Sequence, residues 1–344
     1  MGGSRPVYGI EEEVFVLEEG RPTVRSLYYL ARLLWSDPCW YYTHSASNFN
    51  RGTDLRYGLM SGIEVSTGRH DSIAALVQDL AERRRDLARA CQGLLCPLGN
   101  LPDQTQPSNT CGLHLHISGV EWDLAYRRLV RYLPAFALAL AHAPWAGGRR
   151  FGQSFRWAHS YALGPLRPDP AYRFQDLIRS RRLGTLEVRV FDPSPDLGRL
   201  AEVLGCLHRL LVLPAGDTPA DRADEDGLRA QYNHLRYQVA RLRSPDHPHR
   251  ELPLADCVRH LRELTGFDED WVARTPADET AALLQETGRE ATYLTLDARY
   301  RQWAGATPWN GKRAPFLAGA IAGFIGYYLP RLPYTLWKAW REWS

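Results

Sequence analysis

Glutamates and histidines recur in this 344-residue chain at the every-second-residue spacing that puts side chains on one face of a β-strand. Glu11 and Glu13 share a face in Val7–Leu17 (VYGIEEEVFVL), as do Glu64 and Ser66 in Leu59–Thr67 (LMSGIEVST). His114 and His116 do so in Cys111–Gly119 (CGLHLHISG), and Thr185, Glu187 and Arg189 in Thr185–Phe191 (TLEVRVF). The alternate positions are apolar: Ile10, Val14 and Val16, then Ile63 and Val65, then Leu113, Leu115 and Ile117, then Leu186, Val188 and Val190. Glu12 falls on the apolar side and is left out of the candidate set. If the four segments are neighbours in a sheet, their polar faces make one surface of carboxylates, imidazoles and a guanidinium. Such a surface repels itself unless something positive sits on it. Carboxylate oxygens with one imidazole are donors that Mg²⁺ or Mn²⁺ accept, whereas a zinc site more usually takes imidazoles or thiolates with a single carboxylate. Several hard cations in a carboxylate cradle suit a polyphosphate, so these residues point to phosphoryl transfer.

Taken singly, each motif has a plainer explanation. Glu-Glu-Glu reads as a solvated charge run, His-x-His as an exposed strand face, and Glu-x-Arg as a cross-strand ion pair of little energetic weight. Their joint occurrence on the same side of four strands carries the functional reading.

The elements that must position these groups follow from periodicity. A helix over about Asp71–Leu95 has Ile73, Leu76, Val77, Leu80, Leu87 and Cys91 in an apolar stripe. Further helices are expected over about Trp122–Ala143 and Leu197–Leu213, and the chain then reads as mostly helical to about Trp303. Ala215–Gly227 and Ser244–Arg250, rich in Pro and Asp, read as surface loops. Strands first and a helical second half predict an α+β fold with one sheet and its helices. Phe316–Leu329 (FLAGAIAGFIGYYL) is apolar for too short a run to span a bilayer, which needs about 20 residues. It reads as a helix packed on the domain. The Gly319/Gly323 step and Trp337, Trp340 and Trp343 beyond it also offer a contact to a second copy or an interface. The expected division is a catalytic unit over 1–310 and a C-terminal tail over 311–344.

Composition narrows the classes. The chain is 44% hydrophobic and 24% charged, ordinary for a globular protein. Its formal charge of +3, spread along the chain, does not argue for nucleic acid. Six cysteines without a Cys-x-x-Cys pair argue against a structural zinc site. With no cleavable signal ahead of the first strand, they are expected as reduced thiols in a cytoplasmic protein. Pro6 stands where an N-myristoylation signal needs Ser or Thr.

Five stretches in order resemble the glutamate–cysteine ligase-like carboxylate–amine ligases of the glutamine synthetase superfamily: Gly9–Glu13, Ile63–Thr67, Gly112–His116, Ser154–Arg156 and Gly184–Asp192. Together they span about Val7–Leu213. The neighbouring amidoligases share the same pattern. The resemblance implies a twisted antiparallel sheet, backed by helices, whose concave face binds ATP with two or three Mg²⁺ (or Mn²⁺) ions. It puts Glu11, Glu13, Glu64, His114 and Glu187 at metal-binding positions. Arg156 and Arg189 fall where arginines meet phosphate or the phosphorylated intermediate, and His116 where a nucleotide or phosphate contact is expected. The implied reaction phosphorylates a glutamate-like carboxylate and couples it to an amine, with a small molecule or a peptide as partner. One departure stands out. Similar family members carry Asp-x-Arg-Pro-His before the last motif, whereas this chain has Asp176-Leu-Ile-Arg-Ser-Arg-Arg, with Ile178 at the arginine position and Arg179 one residue late. Two other readings are weighed: a metal-dependent hydrolase using His114 and His116, and a non-catalytic nucleotide-binding protein of the same fold. Loops at Asn100–Asn109 and Gly147–Gln153 are expected to close over substrate.

Overall fold

The computed structural model describes residues 5–23, 25–36, 41–43, 62–105, 110–160, 162–164, 175–180, 183–246 and 254–303, with 322, 325–326, 329–330 and 333 beyond them. The expectation for Phe316–Leu329 and the 311–344 tail therefore lies almost wholly outside the described residues.

The strands are β1 (Val7–Glu18), β2 (Arg21–Pro22), β3 (Tyr41–Thr43), β4 (Gly62–Ser66), β5 (Leu94–Cys96), β6 (Leu113–Ser118), β7 (Trp145–Ala146), β8 (Arg149–Arg150), β9 (Leu177–Ser180) and β10 (Thr185–Phe191). The helices are α1 (Arg25–Ser36), α2 (Ile73–Ala90), α3 (Trp122–Ala139), α4 (Phe155–Ala158), α5 (Leu197–Val212), α6 (Glu225–Ala240), α7 (Ala255–Thr265), α8 (Asp270–Ala273) and α9 (Pro276–Trp303). The arrangement is α+β. The main sheet is antiparallel in the order β3-β4-β1-β6-β10-β9, with β2 and β5 added to β1, and β7–β8 forms a separate hairpin.

The four expected strands are all present and adjacent, and β1 organises them. One edge of β1 pairs with β4 over Glu11–Phe15, and the other pairs with β6 over Val7–Glu12 and then with β5 over Phe15–Leu17. Alternation sends Ile10, Val14, Ile63, Val65, Leu113, Leu115, Ile117, Leu186 and Val188 into the main core. There they meet α2 through Leu76, Leu80 and Leu87, α3 through Leu129, Leu133 and Phe136, and α5 through Leu200, Leu204 and Leu207. The opposite face of β1 is polar at Glu11 and Glu13 and turns apolar at Phe15 and Leu17. These pack with Cys96, Leu98, Cys111, Tyr293 and Leu296 in a second core cluster. The polar face thus ends against α9.

Two boundaries differ from the periodicity. The helix expected to reach Leu95 stops at Ala90, and Leu94–Cys96 instead pairs with β1. The cause is distant in sequence. Arg301 on α9 donates to the carbonyls of Ala88 (2.7 Å), Cys91 (3.3 Å) and Gly93 (2.8 Å), while Asp297 accepts from the Leu95 N–H at 2.8 Å. Capture of terminal carbonyls by a tertiary guanidinium ends the helix where its own apolar stripe would continue. Part of the expected Ala215–Gly227 loop is likewise ordered as a 3₁₀ turn, Pro219–Arg222, gripped through Asp221 by buried Arg128 at 2.7 and 2.8 Å. In the chain after Leu213, described helices dominate, and α9 is kinked at Gly288 (φ 79°).

Candidate active site

Cross-strand register brings the chemistry-bearing groups together. Glu11 lies opposite His114 on β6 and Ser66 on β4, Glu13 lies opposite Glu64, and Glu187 on β10 lies opposite His116. Directly opposed residues share a face, so Glu11, Glu13, Glu64, His114, His116 and Glu187 occupy one side of four consecutive strands. Their strand spacing, with no loop involved, fixes them rigidly relative to one another.

The contacts within the group are close. His114 Nδ1 stands 3.4 Å from Glu11 Oε2, and His116 Nε2 stands 3.4 Å from Glu11 Oε1. Glu11, His114 and Glu187 each offer one ligand atom within 4.8 Å of the others. Glu187 is ion-paired with Arg189, and Glu13 accepts the Gly112 N–H at 2.6 Å. The electrostatics record the crowding. Burial and then the negative charge of Glu11 and Glu13 push the Glu64 carboxyl well above the usual range. Burial opposes ionisation of Glu11, but His114 and His116 outweigh it and hold that carboxyl low. His114 is held below an ordinary imidazole by burial and by Arg189, whereas His116 is held above it because Glu11 and Glu187 outweigh its burial.

These residues fit a hard divalent cation. Several carboxylates and one neutral imidazole converge, and the carboxylates outnumber the cations beside them.

Arg156 and Arg189 flank the cluster in different ways. Arg189 pairs with Glu187. The Arg156 guanidinium instead lies along β10, donating to the carbonyls of Arg189 (2.7 Å), Val190 (3.1 Å) and Phe191 (3.2 Å), with Asp192 at 3.7 Å. Those carbonyls border a bulge, since Val188 pairs with Leu115 and Phe191 with Leu113, leaving Arg189 and Val190 across from the single His114.

The departure in the Asp176–Arg182 stretch also has a place. Asp176 is buried and accepts from Tyr232 Oη (2.7 Å) and Arg236 Nε (3.1 Å) of α6. Ile178 lies opposite Glu187 and so on the polar face, while Arg179 lies opposite Leu186 on the other side. There Arg179 pairs with Glu225 (2.8 Å) and Asp123 (3.0 Å) and covers the Tyr126 ring at 3.9 Å. The one-residue slip thus leaves an isoleucine where an arginine would face the cluster.

The expected closing loops are tied to each other. Gly147 N–H donates to Gln104 O and Gly148 N–H to Pro102 O, both at 2.9 Å, which joins the β7–β8 hairpin to the segment after Asn100. Residues 106–109 lie outside the described set. Sequence reasoning gave no role to Gly112 or Asp192, although both lie in motifs it quoted: a glycine before a His-x-His strand and an acid closing Glu-x-Arg were the available signals.

No protein-family model matches the sequence, and no curated protein matches it significantly. Solved structures do resemble it. A bifunctional glutathione synthetase from Pasteurella multocida superimposes with a TM-score of 0.57 at 12% identity, over 88% of this chain and 52% of that one. This chain therefore spans about half the length of that enzyme. A glutamate–cysteine ligase from Francisella tularensis in complex with AMP gives a TM-score of 0.56 at 11% identity, over 94% of both chains. A weaker match, with a TM-score of 0.47 at 16% identity over 92% of this chain and 80% of the other, is the complex of the prokaryotic ubiquitin-like protein Pup with its ligase PafA. The chain shares the fold of the first two of these enzymes. Among the described residues no helix is long and apolar enough to cross a membrane.

Proposed function

We propose that this chain is an ATP-dependent carboxylate–amine ligase whose active site is the polar face of its main sheet. The observation that carries the reading is the convergence of Glu11, His114 and Glu187 within ligand distance of one another, with Glu13, Glu64 and His116 on the same face. A fold shared with ligases supports it.

In this reading Glu11, Glu13, Glu64, His114 and Glu187 hold two or three Mg²⁺ or Mn²⁺ ions. Cations held by these residues would neutralise the carboxylates and supply positive charge to phosphate oxygens. A carboxylate oxygen of the acid attacks the γ-phosphorus of ATP, the bond to the β–γ bridging oxygen breaks, and ADP leaves. The amine nitrogen then attacks the acyl carbon of the acyl phosphate, loses a proton and expels phosphate, leaving an amide. His114, kept neutral by burial and Arg189, presents a lone pair rather than a competing charge. His116 retains its proton to higher pH than a free imidazole and so offers a donor to a phosphate oxygen. Arg189 presents its fork beside Glu187, a geometry suited to equatorial phosphate oxygens. Arg156 acts on the same oxygens through the strand it grips. A glutamate-like acid is the first candidate, and Ile178 in place of an arginine makes other acids equal contenders. The amine is carried by a small molecule or a peptide.

An ADP-release screen with Mg²⁺ over paired acids and amines, followed by product mass, tests the proposal. Amide formation stoichiometric with ADP is expected. Tightly held zinc with ATP-independent hydrolysis, or ATP binding without turnover over a broad panel, would overturn it.

A further inference from the structure

Gly112 sits at the centre of an arrangement that the chemistry above leaves unexplained. Its N–H fixes the Glu13 carboxylate at 2.6 Å, and its carbonyl accepts the Glu13 N–H at 2.9 Å. On its other side lies the Arg156 guanidinium. A Cβ at position 112 would stand 2.0 Å from Arg156 Nη2 and 2.6 Å from Cζ. A flexible arginine could ordinarily swing away from such a contact, but this one is held along three successive carbonyls of β10, those of Arg189, Val190 and Phe191. It is also presented from a single helical turn. Ser154 caps that turn by accepting the Trp157 N–H at 3.0 Å, and Trp157, next in sequence, is fully buried. Asp192, buried and 3.7 Å from Arg156, accepts the His142 N–H at 2.8 Å and anchors the far end.

A β-bulge re-aims the side chains at its position and has to be held against regular pairing. Here the bulge residue Arg189 is paired with Glu187 at the cluster, and the carbonyls of Arg189, Val190 and Phe191 all accept from the Arg156 guanidinium. We propose that Gly112 and Arg156 form a positioning unit: the missing side chain of Gly112 admits the guanidinium that sets the β10 bulge, so Glu13 on β1 and the Glu187–Arg189 pair on β10 are held in register through one contact. Arg156 is thereby a positioning residue for the metal-holding groups and touches no phosphate itself. The functional consequence rests on the ligase reading, whereas the structural link does not.

The test is Mn²⁺ titration of the full chain without nucleotide, followed by the electron paramagnetic resonance signal of the free ion. Amide hydrogen exchange over residues 185–192 is measured in parallel. Removing a group that orients metal ligands typically weakens metal affinity about 10- to 100-fold, and Arg156→Ala and Gly112→Ala are each expected to do so. The double variant should bind no more weakly than Arg156→Ala, because the added methyl then occupies vacated space. Arg156→Lys, with one ammonium for three carbonyls, should fall between wild type and Arg156→Ala. Exchange over 185–192 should rise by about tenfold in Arg156→Ala, as expected for a locally loosened strand. Wild-type Mn²⁺ affinity in Arg156→Ala, with ATP affinity alone reduced, would overturn the proposal in favour of a direct phosphate contact. If the wild type binds no Mn²⁺, the metal-site reading fails, and unchanged exchange in Arg156→Ala then overturns the structural link as well. Thermal melts of Arg156→Lys and Gly112→Ala separate loss of the site from loss of the fold.

Discussion

Three consecutive glutamates meet two opposite environments. Glu12 points into the apolar side of β1, is fully buried, and is neutralised on the spot. Arg84 of α2 donates to both its oxygens (2.8 Å from Nε), and Tyr300 of α9 donates at 3.3 Å. Arg84 is itself fully buried, donates to Ser194 O at 2.7 Å and lies over the Tyr300 ring at 4.8 Å. Glu11 and Glu13 point the other way, into a group with Glu64 and Glu187, where Arg189 pairs with Glu187 and His114 and His116 lie beside Glu11. One face of β1 thus buries its carboxylate against a built-in guanidinium, whereas the other gathers four carboxylates around two imidazoles and Arg189.

The largest effect is expected on the neutralised side. Arg84→Ala strands the Glu12 carboxylate in the core and should cost about 3–5 kcal/mol of stability by chemical denaturation. Glu187→Gln, on the opposite face, should leave the denaturation midpoint nearly unchanged while lowering ATP-dependent turnover at least ~100-fold, about 3 kcal/mol. The reverse pattern would break the comparison.

The histidines sharpen it. His142, fully buried, donates from Nδ1 to Pro97 O (2.6 Å) and Pro193 O (3.1 Å) and accepts from Thr280 at Nε2 (2.8 Å), and burial lowers it from 6.5 to about 4. The unfolded chain therefore binds a proton between these values that the native state refuses. The His142 contribution is complete above about 6.5 and is lost as pH falls toward about 4, by on the order of 3 kcal/mol at most. Denaturation from pH 7 to 4 should show this slope, and His142→Asn should lack it. His116, raised by its acidic neighbours, shifts the opposite way.

The smallest effect belongs to Glu64. Its carboxyl is held above the ordinary 4.5 by burial and by Glu11 and Glu13, so Glu64→Gln should stabilise the protein by about 1 kcal/mol at neutral pH. The gain should vanish below about 4.5, where both states are protonated. A destabilised Glu64→Gln would mean that the face is not short of positive charge.

Much of this face was legible in the sequence because alternation is local. The Glu, His and Glu-x-Arg positions and the exclusion of Glu12 follow from period two, and adjacency of the four strands then brings them together. What could not be read depends on contacts distant in the chain. Arg84 reaches Glu12 across 72 residues, and Arg301 ends α2 across 213. The Arg156 grip on β10 depends on a bulge and on a glycine whose importance is the space it leaves. The β5 strand was hidden because Leu94 and Leu95 continue the apolar period of the preceding helix, and only tertiary capture of its last carbonyls decides the boundary.

The face bearing Glu11, His114 and Glu187 is proposed to take divalent metal and nucleotide. Crystals grown with Mn²⁺ and a non-hydrolysable ATP analogue, measured for manganese anomalous scattering, test it directly. Peaks bounded by Glu11, His114 and Glu187, with the analogue's phosphates turned toward them, are the predicted result. Manganese and nucleotide bound elsewhere, with this face bare, would contradict it.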